Sequence, residues 1–276
     1  MSQPPALFDR ATIARRRARA ARAPALFLQE RVADDLQERL AEVNRTFTAP
    51  VVVTGWPDLW AERMPGARIV ADEETLALEP GAHDVVIHAL ALHAANDPVG
   101  QLIQCRRALR PDGLLLAASL GGETLAELRA VLTAAEAEVT GGLSPRVTPM
   151  ADLRDLGALL QRAGLALPVA DSDRLTVSYP SLFDLMSDLR AMGEANALAA
   201  RLRRPTRRAL FLRAAALYAE MHGDAEGRIP ATFEVVHLAG WAPAPDQPQP
   251  LRPGSATTRL ADALRVHETS LPGNKD

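Results

Sequence analysis

The pattern of apolar and polar positions changes near residue 50. Through residues 1–48 apolar side chains recur about every 3.6 positions, which predicts helices with one face packed on the body of the protein. After that, short β-branched runs alternate with helix-like segments as far as residue 165. The predicted strands are 50–55, 67–71, 84–90 and 114–119, and the predicted helices are 56–64, 98–109, 124–139 and 148–164. This alternation is typical of βαβ units, so we predict an α/β fold with a mostly parallel sheet and helices on both faces.

Beyond residue 165 the pattern predicts a strand near 174–179, helices near 182–192 and 205–222, and a further strand at 232–238. Prolines then crowd residues 243–253, which excludes a regular helix or strand there. We therefore expect three regions: an N-terminal helical segment at 1–48, a main domain at 49–241 with a helical insertion at 181–228 before the last strand, and a proline-rich tail at 242–276.

The composition is that of an ordinary soluble protein. Of the 276 residues, 47% are hydrophobic and 24% are charged, and the formal net charge is −3. The single cysteine, Cys105, excludes an internal disulfide and is expected to pack as a small apolar side chain. No apolar run reaches the ~20 residues of a membrane span, and the N-terminus lacks an apolar signal segment. We expect a protein of the bacterial cytoplasm, with peripheral contact with the inner membrane as an alternative.

Arginine dominates the basic residues, since only Lys275 among the 31 is a lysine. Residues 10–22 and 201–213 are two arginine-rich stretches in which acids are almost absent. Such clusters bind phosphates, acidic lipids or acidic protein surfaces. No aromatic platform or nucleic-acid-binding module accompanies them, so nucleic acid is not predicted as a partner. We expect both stretches to form a partner-facing surface, away from the carboxyl ends of the strands.

Candidate ligand-binding residues follow the predicted strands, because ligands of parallel α/β sheets bind beyond the carboxyl ends of the strands. Gly55 follows the first strand, Asp72 follows the second, and Leu90 ends the third, with His93 close behind. Asp72 comes seventeen residues after Gly55, near the distance at which nucleotide-binding folds place an acid against ribose hydroxyls. The alternative is that Asp72 and Glu73 only cap the next turn.

Other catalytic patterns are missing from the sequence. The six histidines form neither an HxxxH nor an HExxH motif, so no metal site is predicted. Ser119 lacks the Gly-x-Ser-x-Gly elbow of a hydrolase, and no Gly-Lys-Ser/Thr phosphate loop occurs. Residues 124–127, Thr-Leu-Ala-Glu, form a capping-box pattern that predicts the start of a helix.

A series of segments resembles one family in order along the chain. The segments are 70–74, 83–86, 90–93, 96–97, 109–113, 121–125, 127–129, 141–146, 155–157, 179–180, 192–196, 230–232 and 254–257. Together they resemble the class I S-adenosylmethionine-dependent methyltransferases and, more narrowly, the BioC-related family that includes the mitochondrial complex I assembly factor 5. The resemblance covers about residues 1–258 and implies a Rossmann-like class I methyltransferase fold.

The resemblance also implies an S-adenosylmethionine site, to which Gly55, Asp72, Glu73 and Leu90 would contribute. The family's first motif is an acid followed by a glycine-rich turn, whereas residues 53–57 here read Val-Thr-Gly-Trp-Pro. The stretch before Asp72 is also short by one βα unit, so Asp72 matches the adenine-side acid by sequence but the ribose-side acid by spacing. Because few of the family's cofactor groups remain, we expect S-adenosylmethionine binding to be weakened or lost.

Three functions fit these observations. The first, implied by the resemblance, is arginine modification or assembly of a respiratory complex I subunit, with hydroxylation as the family's type of activity. The second is methyl transfer to a small-molecule or acyl-carrier acid, as in BioC, and the third is a non-catalytic assembly scaffold. We favour an assembly function, because residues 143–149 and 192–196 still match the family although the first cofactor motif does not.

No nucleophile or general base can be named from the sequence. Six polar residues are candidates for contacting a substrate or partner: His93, Glu123, Arg146, Tyr179, Glu194 and Asn196. Arg146, Glu194 and Asn196 are the strongest of these, because polar residues in loops are hard to explain by packing.

Overall fold

The computed structural model describes residues 6–247. The chain divides into two units, Met1–Pro243 and Ala244–Asp276, of which the first carries the sheet and the helices. The predicted tail at 242–276 lies almost wholly outside the described residues, and the predicted domain boundaries stay predictions. Within residues 6–247, the helices are all too short or too polar to cross a membrane.

Two helices occupy the N-terminal segment, α1 at Arg10–Ala20 and α2 at Phe27–Glu42. Asp9 caps α1, because its carboxylate accepts a hydrogen bond from the Thr12 amide at 3.0 Å. Helix α2 buries its apolar face, including Leu36, in the core. The predicted helical periodicity is confirmed, with a break between the two helices.

Six strands form one sheet: β1 Pro50–Thr54, β2 Arg68–Ala71, β3 His83–Ala89, β4 Leu109–Leu120, β5 Ala166–Tyr179 and β6 Ile229–Trp241. Their order across the sheet is β2-β1-β3-β4-β6-β5. The pairs β1–β2, β1–β3 and β3–β4 are parallel, whereas β6 runs antiparallel to β4 and β5. The predicted Rossmann-like, mostly parallel sheet is confirmed. In the described part of the chain only β2 lies outside β1, which agrees with the βα unit that the sequence lacks.

The remaining helices are α3 Pro57–Arg63, α4 Pro98–Ala108, α5 Ala126–Thr140, α6 Leu153–Arg162, α7 Leu182–Ala191 and α8 Arg208–His222. Alternate strand residues enter two separate hydrophobic clusters. Val52 packs with residues of α2, α5, α7 and α8, whereas Val53 packs with residues of α4 and α6. Successive side chains of a strand point to opposite faces of a sheet, so helices cover both faces, as predicted. Helices α7 and α8 form the predicted insertion before the last strand.

Some local predictions are wrong. The capping box predicted at residues 124–127 does not form: Leu125, with a left-handed φ of 55°, precedes α5 and its side chain caps nothing. The Glu127 carboxylate instead accepts from the Thr232 amide at 3.3 Å, and the Thr124 hydroxyl bonds the backbone of β6. Both side chains therefore tie the start of α5 to the sheet. Strand β5 is also longer than predicted, because it pairs with β6 along its whole length.

Two histidines are buried in the sheet, one on β3 and one on β6. His88 on β3 is fully buried, its Nε2 lies 2.7 Å from Gln101 Oε1, and burial lowers its pKa. Burial also lowers the pKa of His237 on β6, whose side chain is 2% exposed. Both rings are therefore neutral in the folded protein at neutral pH.

We predict that the free energy of unfolding falls as the pH decreases from about 6.5 to 5, by up to ~1.4 kcal/mol per pH unit for each of these histidines. The reason is that the unfolded chain takes up a proton at each ring below about pH 6.5, whereas the folded protein, in which both pKa values are lowered, does so only at a lower pH. Above that pH both states are neutral at these rings and the effect vanishes. Urea titrations should show the slope, and His88→Gln and His237→Gln should each flatten it. A slope that both variants leave unchanged would contradict the prediction.

Candidate functional site

The carboxyl ends of β1, β2 and β3 meet at one edge of the sheet. Gly55 follows β1, Asp72 follows β2 and Leu90 follows β3, and β1 pairs directly with both other strands. Asp72 therefore ends the strand next to β1, which is the ribose-side position indicated by its spacing from Gly55. Leu90 is buried with a left-handed φ of 42°, and Glu73 is exposed, its backbone carbonyl accepting from Gln101 at 3.0 Å. The structure thus brings Gly55, Asp72 and Leu90 together.

A side chain of α1 fills this corner. Nη1 of Arg17 lies 2.6 and 2.7 Å from the two carboxylate oxygens of Asp72. Arg10 adds a second guanidinium, with Nη2 3.3 Å from Oδ2 of Asp72. A Cβ placed on Gly55 would lie 2.4 Å from Nη1 of Arg17, so the guanidinium lies directly against the Gly55 backbone. The single glycine of the turn therefore makes room for Arg17.

The Arg17–Asp72 pair is almost fully buried, with 11% and 8% of the two side chains exposed. Burial raises the pKa of the Asp72 carboxyl. The charges of Arg17 and then of Arg10 lower this pKa by a larger amount, so it ends below its ordinary value. The carboxylate is therefore ionised at neutral pH, and its oxygens are occupied by guanidinium donors. Across residues 6–247 no backbone amide donates to this carboxylate, so the alternative in which Asp72 caps a turn is not realised.

Trp56 closes the same corner from the end of β1. The residue is 7% exposed, and its side chain belongs to the larger hydrophobic cluster. A Cβ placed on Gly193 would lie 3.6 Å from the indole ring and 3.0 Å from Cγ of Arg17, so the three residues are tightly packed. Pro57 begins α3 and carries no amide proton. An incoming nucleotide would meet a guanidinium, an indole and a proline where a glycine-rich turn offers free amides. These residues do not fit S-adenosylmethionine.

A cavity of about 330 Å³ lies beside this corner and is called the main cavity below. Residues of α1, α5, α7 and the loops near 146–150 and 193–197 line it, and most of them are apolar. Four of the six candidate residues line this cavity: His93, Arg146, Glu194 and Asn196. The other two, Glu123 and Tyr179, lie outside it.

Glu194 connects the main cavity to the buried ion pair. Its Oε2 lies 3.2 Å from Nε2 of His93. Burial raises the pKa of Glu194, but His93 and then Arg17 lower it by more, so the carboxyl is ionised at neutral pH. The groups therefore follow one another in the order Asp72, Arg17, Glu194, His93, with alternating charge along the first three.

Arg146 and Asn196 brace the wall of the main cavity. Arg146 donates to the two carboxylate oxygens of Glu136 at 2.6 and 2.9 Å and to the Thr206 hydroxyl at 3.0 Å. Asn196 donates to the Pro145 carbonyl at 2.7 Å. A bidentate pair of this kind is geometrically rigid. Both predicted residues thus hold loops in place, and Arg146 brings little uncompensated charge to the cavity.

Glu123 and Tyr179 have structural partners elsewhere. Glu123 forms an exposed ion pair with Arg174. The Tyr179 hydroxyl donates to Asp188 at 2.7 Å, and burial, followed by that carboxylate, raises the pKa of Tyr179. The geometry gives no support to their prediction as residues that contact a partner.

The prediction that both arginine-rich stretches lie away from the strand ends is wrong for Arg10 and Arg17. Helix α1 crosses the strand ends, so these two side chains are part of the site. Ile13, which is 5% exposed, lies between them and lines the main cavity. The three residues follow one another at helical spacings of three and four, and this shared face is the one signal in the sequence that marks them.

Three potential metal ligands also come together in the described part of the chain, although the sequence predicts no metal site. Nε2 of His237 lies 3.9 Å from Asp35 and 3.6 Å from Asp173. Asp35 already pairs with Arg31 at 3.2 Å, and the charge of Arg39, after burial, lowers the pKa of His237. These neighbouring cations oppose a bound metal ion, and none of the three ligands lines the main cavity.

We predict that Asp72→Asn lowers the free energy of unfolding by about 3–5 kcal/mol, because Arg17 is left as a buried charge without its partner. The double variant Arg17→Met/Asp72→Asn should lose less than the sum of the two single variants. Urea denaturation of the full cycle measures both effects. As a control, Glu79→Gln breaks the exposed pair with Arg68 and should cost at most about 1 kcal/mol. Equal, small losses in Asp72→Asn and Glu79→Gln would contradict the prediction.

The sequence is similar to that of known proteins over most of its length. Residues 25–117 match the family described as a methyltransferase domain. The chain is 37% identical to the Danio rerio protein named arginine-hydroxylase NDUFAF5, mitochondrial, over 85% of this chain and 72% of that protein. The Rattus norvegicus protein of the same name is 41% identical over 77% of this chain and 62% of its own length, so the chain spans less than two thirds of that relative.

A bacterial relative and a solved structure extend the comparison. The malonyl-[acyl-carrier protein] O-methyltransferase of Laribacter hongkongensis is 40% identical over 64% of this chain and 57% of that protein. The YcgJ protein of Bacillus subtilis superimposes with a TM-score of 0.48 at 10% identity, over 76% of this chain and 98% of that one. The identity to the zebrafish protein extends over most of both sequences, and the chain therefore belongs to the methyltransferase-like family that includes arginine-hydroxylase NDUFAF5.

Proposed function

We propose that this protein is an assembly factor of the NDUFAF5 type, which acts on a protein partner, and that its binding of S-adenosylmethionine is weakened or lost. One observation carries the proposal: the Arg17 guanidinium lies against Gly55 and binds both carboxylate oxygens of Asp72. The strand ends at which α/β folds bind nucleotides are thereby filled by the protein's own side chains. The name of the vertebrate relatives, an arginine hydroxylase rather than a methyltransferase, supports a function without methyl transfer.

The charge of the residues that line the main cavity determines which chemical groups of a partner can bind there. Arg17 and Arg146 are neutralised by Asp72 and Glu136. Arg201 likewise pairs with Asp9. This leaves Arg16 and Arg190 against Glu194, the one acid among the lining residues, so the walls of the cavity are positive. A positive cavity repels a cationic arginine side chain and attracts acidic groups. Assembly of a partner is therefore better supported than modification of a partner's arginine inside this cavity.

The second candidate is an active methyltransferase on a small-molecule or acyl-carrier acid. Its support is the identity to the Laribacter enzyme and the positive cavity, which suits a carboxylate substrate. Against it stands the closed corner at Gly55 and Asp72, since the methyl donor would have to displace Arg17 and leave a charge without its partner. A respiratory complex I subunit as partner and a location in the bacterial cytoplasm stay predictions.

We predict that wild-type protein shows no micromolar binding of S-adenosylmethionine or S-adenosylhomocysteine in isothermal titration. Arg17→Ala should bind S-adenosylmethionine at least about tenfold more tightly than wild type, because Asp72 regains a free acceptor. Arg22→Ala removes an exposed arginine just beyond the same helix and should behave as wild type. Low-micromolar binding by the wild-type protein, with methyl transfer to malonyl-acyl carrier protein, would contradict the proposal and favour the second candidate.

We also predict that crosslinking of the full-length protein in its own cells, followed by mass spectrometry, enriches a subunit of the respiratory chain. Thr148→Trp places an indole in the main cavity and should reduce that enrichment, because the partner is excluded. Thr133→Trp, at an exposed position of α5 outside the cavity, is the matched control and should capture the partner as wild type does. Failure to recover any respiratory-chain subunit with the wild-type protein would contradict the assembly function.

A further inference from the structure

The two arginine-rich stretches, residues 10–22 and 201–213, meet in the structure. An isolated antiparallel bridge between Phe8 and Leu198 brings the chain before α1 against the loop that leads to α8. Arg201, three residues after Leu198, is held against this loop because its Nη1 donates to the Leu198 carbonyl at 2.8 Å. Basic residues that are far apart in the sequence thus share one surface.

This surface contains a second cavity, of about 310 Å³, lined by Thr12, Arg15, Arg16, Arg19 and Arg201 and called the arginine cavity below. Its four residues from α1 lie at positions i, i+3, i+4 and i+7, which is one face of a helix. No acid is among the lining residues. Arg16 and Arg201 also line the main cavity, so the two cavities share a wall.

The hydrogen bonds in the arginine cavity leave much of its donor capacity unused. Nη2 of Arg15 and Nη2 of Arg201 both donate to the Thr12 hydroxyl, at 2.9 and 2.8 Å. Nη1 of Arg16 is buried and has no hydrogen-bond partner among the described residues. A buried donor without an acceptor costs free energy, which an anion bound here would recover.

The charge of the arginine cavity is also poorly balanced. Asp9 is the acid beside it, and its carboxylate already accepts from Arg201 at 2.9 Å and from Thr12. Burial, and after it the charge of Arg201, lowers the pKa of Arg16, with Asp9 opposing this effect. The charges of Arg15 and Arg19 lower the pKa of Arg16 as well, so these guanidiniums repel one another, and a bound anion would relieve that repulsion.

The number and type of donors favour a phosphoryl group over other anions. Each guanidinium offers a planar pair of N–H donors that matches two phosphate oxygens, and arginine is the residue most suited to such bidentate contacts. A phosphoryl group carries about two negative charges at neutral pH and three acceptor oxygens, whereas a carboxylate carries one charge and two oxygens.

We propose that the arginine cavity formed by Thr12, Arg15, Arg16, Arg19 and Arg201 is a binding site for a phosphoryl group. The group belongs either to a soluble phosphate ester, whose organic part would lie toward the main cavity, or to a phospholipid headgroup. Neither form depends on the proposed assembly function or on the state of the S-adenosylmethionine site, so the proposal is tested separately from both.

Isothermal titration of the full-length protein with inorganic phosphate at constant ionic strength tests the site. We expect saturable binding to the wild-type protein, and about tenfold weaker binding to Arg16→Gln and to Arg19→Gln, since each variant loses a charge-assisted contact. Phosphate should also raise the melting temperature of the wild-type protein more than that of either variant. Arg22→Gln, an exposed arginine outside the cavity, should match wild type in both measurements.

A second arm distinguishes the two sources of the phosphoryl group. Cosedimentation uses vesicles of phosphatidylcholine with and without phosphatidic acid. Binding that needs phosphatidic acid, is competed by inorganic phosphate and is lost in Arg16→Gln supports a lipid headgroup, whereas phosphate binding without vesicle binding supports a soluble ester. Phosphate or vesicle binding that Arg16→Gln and Arg19→Gln leave unchanged would overturn the proposal, as would no binding in either arm.

Discussion

The buried ion pair between Arg17 and Asp72 is the interaction on which the arrangement of the site depends. The two side chains are almost fully buried. Removing either one would leave the other as an unpaired buried charge, which costs stability. Because Arg17 belongs to α1 and Asp72 follows β2, the pair holds the N-terminal helix across the ends of the strands. Gly55 then lies against the guanidinium, and the negative charge of Glu194 acts on it at the wall of the main cavity, which Arg17 and Glu194 both line.

Because of this ion pair, the carboxyl ends of β1 and β2 do not form an open binding crevice. In an α/β fold the carboxyl ends of the strands form the binding crevice, yet here that crevice is filled by residues of the same chain. The open space is instead the neighbouring main cavity, whose lining combines apolar side chains with arginines. The fold is that of a methyltransferase, but the cavities that remain open are lined in part by arginines of α1, α7 and the loop before α8.

Much of the fold follows from local sequence patterns. The parallel part of the sheet and both layers of helices were predictable, because the period of apolar residues is a property of each segment alone. The start of α5 was not, since Thr124 and Glu127 bond β6, a strand more than a hundred residues away, instead of closing a capping box. The length of β5 was underestimated for a similar reason: its polar face shows no strong alternation, and its pairing with β6 decides its extent.

The α/β architecture, the family and the absence of a glycine-rich turn after β1 follow from the amino-acid sequence, because they depend on the order and type of neighbouring residues. Of the six candidate residues named from the sequence, four line the main cavity, whereas Glu123 and Tyr179 do not. Which arginines are buried, and which groups they bind, is set by the way the helices and strands pack in space. Arg17 and Asp72 are 55 residues apart, and the helical face that Arg17 shares with Arg10 and Ile13 does not show which acid it binds. Charge pairing depends on proximity in space, whereas the period of apolar residues is a property of each segment of the sequence.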